Sequence, residues 1–369
     1  MLENCRWLLY ASRFYGCHPH TIDERSRVPL RFRLLLAYSL IACGVYCVWT
    51  YYAKGAMNYC EEDNIVGCAQ QLMNRYNRCL YMILSTLLSC IRHAEFERAV
   101  AVARKFDDLI RHYNNWCIDN KRTNYCAQWL IISLIFVSWI YIYILVVFAR
   151  TPLSLYAFAL QLVMRITFSM EVAKFYFLYD ALRRRFCRIN GLCRKLNASY
   201  YSCNIILIIN FFHIGIDIAS AIHIKRLTIS NLQQLHSCLM NATHHLNSYY
   251  SLQLFFWIVC MGMDIITYIF LILYEIRIIM LCIQCTILLY FILQLISICR
   301  ICQVTCDQAN ALADTIFLTK TPAFKQTEFS SERIDLGIRI RIYPLRIRVC
   351  GLFNLDNSFA FSAQPELER

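Results

Sequence analysis

Long apolar blocks alternate along the chain with polar, mostly basic segments, and the blocks are long enough to cross a membrane. A helix needs about 20 mainly apolar residues to span a hydrocarbon core of about 30 Å. Residues 34–53 and 127–149 meet that requirement, the second without a charge. Residues 72–91 are weaker, because Asn74, Arg75, Asn77 and Arg78 fall in their first half. Residues 153–179 are long enough but carry Arg165, Glu171 and Lys174. Residues 250–274 hold one acid, Asp264, and 276–299 follow almost at once with Arg277 near their start. The pattern predicts an all-α polytopic membrane protein with six full transmembrane helices. A further isoleucine-rich run, Cys203 to Ile224, contains His213, Asp217 and His223, and is read as non-spanning.

The arginines set the orientation, since lysine and arginine stay on the cytoplasmic side. Arg25, Arg27, Arg31 and Arg33 precede the first span, whereas Lys54 after it is outweighed by Glu61, Glu62 and Asp63. The loop after the second span is basic from Arg92 to Arg122, the fourth span ends in Arg183, Arg184 and Arg185, and Arg339 to Arg348 mark the last loop. The amino terminus is therefore expected in the cytoplasm. The alternation works only if Cys203 to Ile224 does not cross, so the sequons at Asn197 and Asn241 are expected to stay unmodified.

Composition narrows the class further. Apolar residues make up 59% of the 369 and charged residues 17%, below the roughly 25% of soluble domains. A net charge of +13 on a soluble surface would suggest nucleic acid. Here it lies beside the spans, so it reads as topology with anionic lipid as a secondary partner and no nucleic acid. Most of the 21 cysteines lie in or beside apolar runs and act as small hydrophobes. Cys282-x-x-Cys285 and Cys299-x-x-Cys302 lack a nearby histidine and read as packing residues. Cys60 and Cys68, in an outside loop, are candidates for a bridge.

No catalytic or cofactor pattern is present: no His-Glu-x-x-His, no Gly-x-Ser-x-Gly, no phosphate-binding glycine loop. An enzyme is not expected, and neither is a cofactor or metal. His18, His20, His244 and His245 read as solvated loop residues. The positive signal is polar residues inside spans, because a charge at mid-bilayer costs about 2.5–3.5 kcal/mol and turns toward a bundle interior or cavity. Arg165 lies near the middle of the fourth span with Gln161 one turn before it. Asp264 lies near the middle of the fifth with Tyr268 one turn later. Arg165 and Asp264 either pair across the bundle to fix packing or line a polar pocket. Glu171 and Lys174, three apart, neutralise each other on one face.

Two stretches resemble the insect gustatory receptors of the seven-helix insect chemoreceptor superfamily. The first runs His236 to Leu254, with His236, Leu239, Leu246, Asn247, Tyr250, Ser251, Gln253 and Leu254 at the family's positions. The second is Cys350-Gly351-Leu352-Phe353-Asn354-Leu355-Asp356, which is similar to the segment introducing the family's seventh helix. The resemblance implies a tastant-gated, non-selective cation channel in the plasma membrane of chemosensory neurons, assembled as a homo- or hetero-tetramer with other gustatory receptors. It also implies a pocket in the outward half of each bundle, for which Gln161, Arg165, Asp264 and Tyr268 are the candidates. Tyr250, Ser251, Gln253, Leu254, Gly351, Phe353 and Asp356 would serve the shared anchor.

The chain departs from the family after Asp356. Residues 349–362 are expected to form only a partial seventh helix, since the tail to Arg369 is polar and too short to span. Alternative readings are a non-conducting truncated copy, or a G-protein-coupled receptor-like or transporter protein.

Overall fold

The computed structural model describes residues 6–18, 29–57, 65–113, 121–148, 155–210, 228–274, 278–318 and 329–355. Over these the chain is almost wholly helical. A short α1 (Arg6–Phe14) precedes α2 (Pro29–Met57), α3 (Ile65–Ile91), α4 (His93–Tyr113) and α5 (Lys121–Phe148). Three long helices follow: α6 (Leu155–Asn210), α7 (Ile229–Tyr274) and α8 (Ile278–Leu318), then α9 (Phe329–Ile342) and a small hairpin, β1 (Arg348–Val349) with β2 (Phe353–Asn354). By length and composition Arg33–Tyr52, Ile229–Leu273 and Ile278–Phe317 are apolar enough to cross a membrane, and Cys79–Ile91 and Leu130–Ile142 are shorter apolar stretches.

Helix lengths separate the molecule into two storeys. At 1.5 Å per residue, the 56, 46 and 41 residues of α6, α7 and α8 reach about 84, 69 and 62 Å. That is at least twice a hydrocarbon core of about 30 Å. The lipid-length halves gather with α2, α3 and α5, and the remainder packs against α4 and α9. The most extensive pairings are α6 with α8 and α4 with α7.

In the first storey the apolar surface faces outward. On α2, Leu34, Ile41, Val45 and Val48 are exposed, while Ser39, Cys43 and Tyr46 are buried. On α5, Ile132, Ile135, Trp139 and Ile142 form the buried stripe, and Leu130, Leu134, Val137 and Tyr141 face away. Lipid tails are as apolar as leucine, so shape, small residues and polar contacts, not hydrophobicity, select the inner face. One such contact is Gln253 of α7, whose Nε2 donates to Ser85 Oγ of α3 at 2.6 Å, both residues being buried.

The amino-terminal segment wedges into this bundle. Leu8, Leu9, Ser12, Cys17 and His18 are fully buried, and a Cβ on Gly16 (φ +81°) would lie 2.6 Å from that of Ala42. His18, read above as a solvated loop residue, instead packs edge-on against Phe96, 5.4 Å between ring centres. Burial beneath α4 accounts for the difference. Ser12 Oγ donates to Glu171, and the Lys174 ammonium sits 2.5 Å from the other Glu171 oxygen. Lys174 also donates to Ser12 Oγ at 3.2 Å and to the Cys17 carbonyl at 3.4 Å. The i,i+3 pair expected from spacing is present, with a third residue from α1 completing it.

The second storey is joined by side chains that the alternation of spans does not reveal. Arg185 of α6 grips Asp107 of α4 with two parallel bonds of 2.9 and 2.5 Å. His236 bonds the Ala309 carbonyl at 3.1 Å, and Asn190 Nδ2 donates to the Gln308 carbonyl at 2.8 Å. His245 meets Glu95 at 2.8 Å, which with Arg98 holds that carboxyl below its ordinary value. On α9, a Cβ at Gly337 would come within 2.7 Å of the Phe317 ring, which would have to swing aside to admit it.

Asp107 yields a pH prediction. Burial would push its carboxyl up, but the Arg185 guanidinium overrides this and holds it below its ordinary value. A depressed carboxyl contributes stability that is complete above the unfolded value of about 3.9 and is lost as pH falls through the folded one. Asp107→Asn should lower the melting temperature at pH 7 and flatten its fall on acidification, measured in detergent from pH 7 down to pH 3.

Candidate ligand pocket and anchor

Arg165 lies on α6 where it passes between α5, α7 and α8, and its guanidinium is enclosed by rings. The guanidinium carbon stands 4.7 Å from the Trp139 ring centre, 5.8 Å from Tyr268 and 6.0 Å from Phe291. One Nη donates to the Tyr268 hydroxyl. Stacking on indole is the strongest cation–π arrangement and suits a partly desolvated guanidinium. The platform is itself fixed: the Trp139 indole N–H donates to Ser169 Oγ at 3.1 Å, and Ser169 Oγ donates to the Arg165 carbonyl one turn back at 2.9 Å. Gln294 of α8 adds a bond to the same Ser169 oxygen at 3.3 Å.

These groups bound a cavity lined by Asn77, Tyr81, Trp139, Met164, Arg165, Phe168, Cys260, Asp264 and Phe291. Five helices contribute, and the free volume is about 20 Å³, room for a water rather than for a tastant. Arg165 and Asp264, candidates from different spans, therefore share one cavity, and Tyr268 closes it through Arg165 and by stacking on Phe291 at 6.0 Å. Gln161, the fourth candidate, is half-buried one turn away and lies outside the lining. Sequence reading missed Asn77, Tyr81, Trp139, Phe168 and Phe291. Asn77 alone carried a signal, a polar residue inside an apolar block. The aromatic walls are indistinguishable in sequence from lipid-facing rings.

The candidate anchor residues on α7 and the hairpin meet through Ser251. Tyr250 stands edge-on to Phe175 at 5.0 Å, Leu254 is fully buried, and Gln253 holds α3 as described. Ser251 Oγ accepts the backbone N–H of Cys350 at 2.8 Å, bringing the two quoted stretches into contact across 99 residues. Cys350 and Gly351 have φ of +49° and +75° in the turn whose Leu352 N–H donates to the Val349 carbonyl at 2.9 Å. Two successive positive φ values suit a tight hairpin turn and explain the glycine. Phe353 pairs with Val349, and Leu345 and Asn310 exchange two hydrogen bonds that fix the approach to the hairpin.

The stretch assigned above to a partial seventh helix is thus a hairpin over its described part, 349–355, because the turn at Cys350 and Gly351 reverses the chain. Asp356, the rest of that stretch, Cys60 and residues 211–224 of the isoleucine-rich run lie outside the described residues; α6 takes in that run as far as Asn210.

A bundle of lipid-length helices around a charged, aromatic-walled cavity is the architecture of a multi-pass membrane protein. The sequence profile of the 7tm chemosensory receptor family matches residues 5–363, and the chain belongs to that family. No curated protein matches the sequence significantly. Among solved structures, the insect olfactory receptor OR5 from Machilis hrabei is similar at 12% identity, with a TM-score of 0.63 over 97% of this chain and 93% of that one. The same receptor in complex with eugenol gives a TM-score of 0.56 at the same identity and coverage. The all-helical membrane fold expected from the apolar blocks is the fold of that receptor.

Proposed function

We propose that the chain is a gustatory-type subunit of a small-molecule-gated, non-selective cation channel, and that Arg165, Asp264 and Tyr268 receive the tastant. The observation that carries this is the convergence of a guanidinium, a carboxylate and a phenol from α6 and α7 on one aromatic-walled cavity. Family membership and the eugenol-bound state of the similar receptor support a small organic ligand. In this reading the subunit sits in the plasma membrane of a chemosensory neuron with its amino terminus inside. It assembles as a tetramer, homomeric or with related receptors, through the second storey. The tastant displaces the Tyr268 hydroxyl from Arg165, and binding favours the conducting arrangement by as much as its affinity differs between the two states.

The full chain in lipid nanodiscs, titrated with a panel of tastants with eugenol as reference, tests the pocket. A saturable change in tryptophan emission that disappears in Trp139→Phe is expected for at least one compound. Saturable binding undiminished by both Trp139→Phe and Asp264→Asn would place the ligand elsewhere and overturn the assignment.

A further inference from the structure

A second, larger cavity lies beside the first. It is a cleft of about 490 Å³ lined by Thr50 of α2, by Tyr76, Asn77, Cys79, Leu80 and Ile83 of α3, and by Met263 and Thr267 of α7. That volume lies within the range of small-molecule sites, whereas the Arg165 cavity is more than an order of magnitude smaller. Among the described residues no lining side chain is charged, and Thr50, Tyr76, Asn77 and Thr267 scatter hydroxyl and amide groups among apolar walls. Such a lining accepts a neutral molecule with one or two hydrogen-bonding groups. Leu80 of the lining is an exposed apolar side chain, and Val48, Tyr51 and Tyr52, next to Thr50 along α2, are exposed as well. Exposed apolar residues ending in tyrosines mark a lipid-facing surface approaching the membrane interface, so the cleft meets the bilayer sideways.

One residue belongs to both cavities. Asn77 Nδ2 donates to the Cys260 carbonyl at 3.2 Å, and Cys260 Sγ donates back to Asn77 Oδ1 at 3.0 Å. Asn77 lines the cleft, Cys260 lines the Arg165 cavity, and this reciprocal pair joins α3 to α7 between them. Both bonds run through the Asn77 side-chain amide, which a rotamer change at Asn77 releases from the Cys260 carbonyl and thiol together, so the partition is a latch rather than a packed wall.

We propose that the cleft binds neutral lipophilic molecules dissolved in the bilayer, and that the Asn77–Cys260 latch controls their passage to the Arg165 cavity. The inference rests on the reading of that cavity as the ligand pocket. It accounts for how a ligand reaches a cavity now sized for a water: it partitions into lipid, gathers in the cleft, and passes as α3 and α7 part at Asn77.

The test uses the full chain in phosphatidylcholine nanodiscs and an octanol carrying a photoactivatable diazirine. Labelled residues are mapped by mass spectrometry. Saturable labelling of Tyr76, Leu80 or Met263, competed by excess octanol and reduced about tenfold by Met263→Trp, is expected. Non-saturable labelling, at the same density as on lipid-facing Leu134 and Leu289, overturns the cleft. Asn77→Leu, which removes both latch bonds, should raise labelling of Phe168 and Phe291 severalfold at short times. Cys260→Ala, a milder change, should raise it less, and melting temperature controls for folding in each variant. Unchanged labelling of the inner residues in both variants overturns the latch. Inner residues unlabelled in every variant, with the emission change still abolished by Trp139→Phe, would overturn the passage and spare the pocket. Loss of that emission dependence would instead strike the pocket itself.

Discussion

Lys174→Met should be the most damaging single substitution in the first storey, lowering unfolding stability by about 3–5 kcal/mol. Glu171 and Lys174 are fully buried, and Ser12 and the Cys17 carbonyl complete their hydrogen bonds. Removing the ammonium leaves a carboxylate in a low-dielectric interior with one hydroxyl for company, and desolvation of that charge is no longer offset. The double change Glu171→Gln with Lys174→Met removes both charges while keeping an acceptor for Ser12, and most of the loss should return. Fluorescence-detected size-exclusion melting of the wild type, Glu171→Gln, Lys174→Met and the double variant forms the double-mutant cycle. Because Ser12 and Cys17 come from the amino-terminal segment, Ser12→Ala should share part of the effect. If Lys174→Met melts with the wild type, the pair is hydrated and the wedge is not what holds α6.

The same residues show what the sequence reveals and what it hides. Glu171 and Lys174 are three apart on a helix, so their pairing is legible from spacing alone; that Ser12 caps them is not, because 159 residues separate the partners. The blocks that became α2, α5, α7 and α8 are legible because a bilayer imposes length and apolarity. Which face each helix turns inward is not. On α5, buried Ile132 and Ile135 alternate with exposed Leu130 and Leu134, and nothing in residue type distinguishes them. In the pocket, Arg165, Asp264 and Tyr268 stood out because polar groups in lipid are costly, whereas Trp139 and Phe291 carried no such mark. His18 misled for a related reason: a histidine near a chain terminus reads as solvated, and its burial depends on α1 folding back against Phe96. At the carboxyl end, Gly351 lies in the turn that reverses the chain rather than at the start of a helix.

The two sites are linked by the long helices themselves. Arg165 and Arg185 lie on one uninterrupted helix 20 residues apart, about 30 Å at 1.5 Å per residue. Asp264 and Tyr268 share α7 with Ser251, which holds the hairpin. A displacement of α6 relative to α7 at the cavity therefore reaches the Asp107 pair and the hairpin without passing through a loop. Coupling of this kind requires two packings of the same helices, and in the proposed reading the Arg165–Tyr268 hydrogen bond is the contact that a ligand would exchange.

Arg165→Met should separate binding from stability. If Arg165 serves a ligand, losing a charge-assisted hydrogen bond of about 1.5–3 kcal/mol weakens binding roughly tenfold to a hundredfold. The fold should suffer little, because placing an arginine in the membrane already costs about 2.5–3.5 kcal/mol on insertion scales. Arg165→Lys should fare little better in binding, since an ammonium neither stacks on Trp139 as guanidinium does nor presents a planar fork. If Arg165 instead serves only to neutralise Asp264 and fix packing, Arg165→Met strands a buried carboxylate and should cost about 3–5 kcal/mol of stability. Asp264→Asn with Arg165→Met would then restore it. Melting temperature and tastant affinity measured on the same three variants decide between the two. Affinity lost with melting preserved is the expected result, and melting lost in the single variant and regained in the double would assign Arg165 to the scaffold.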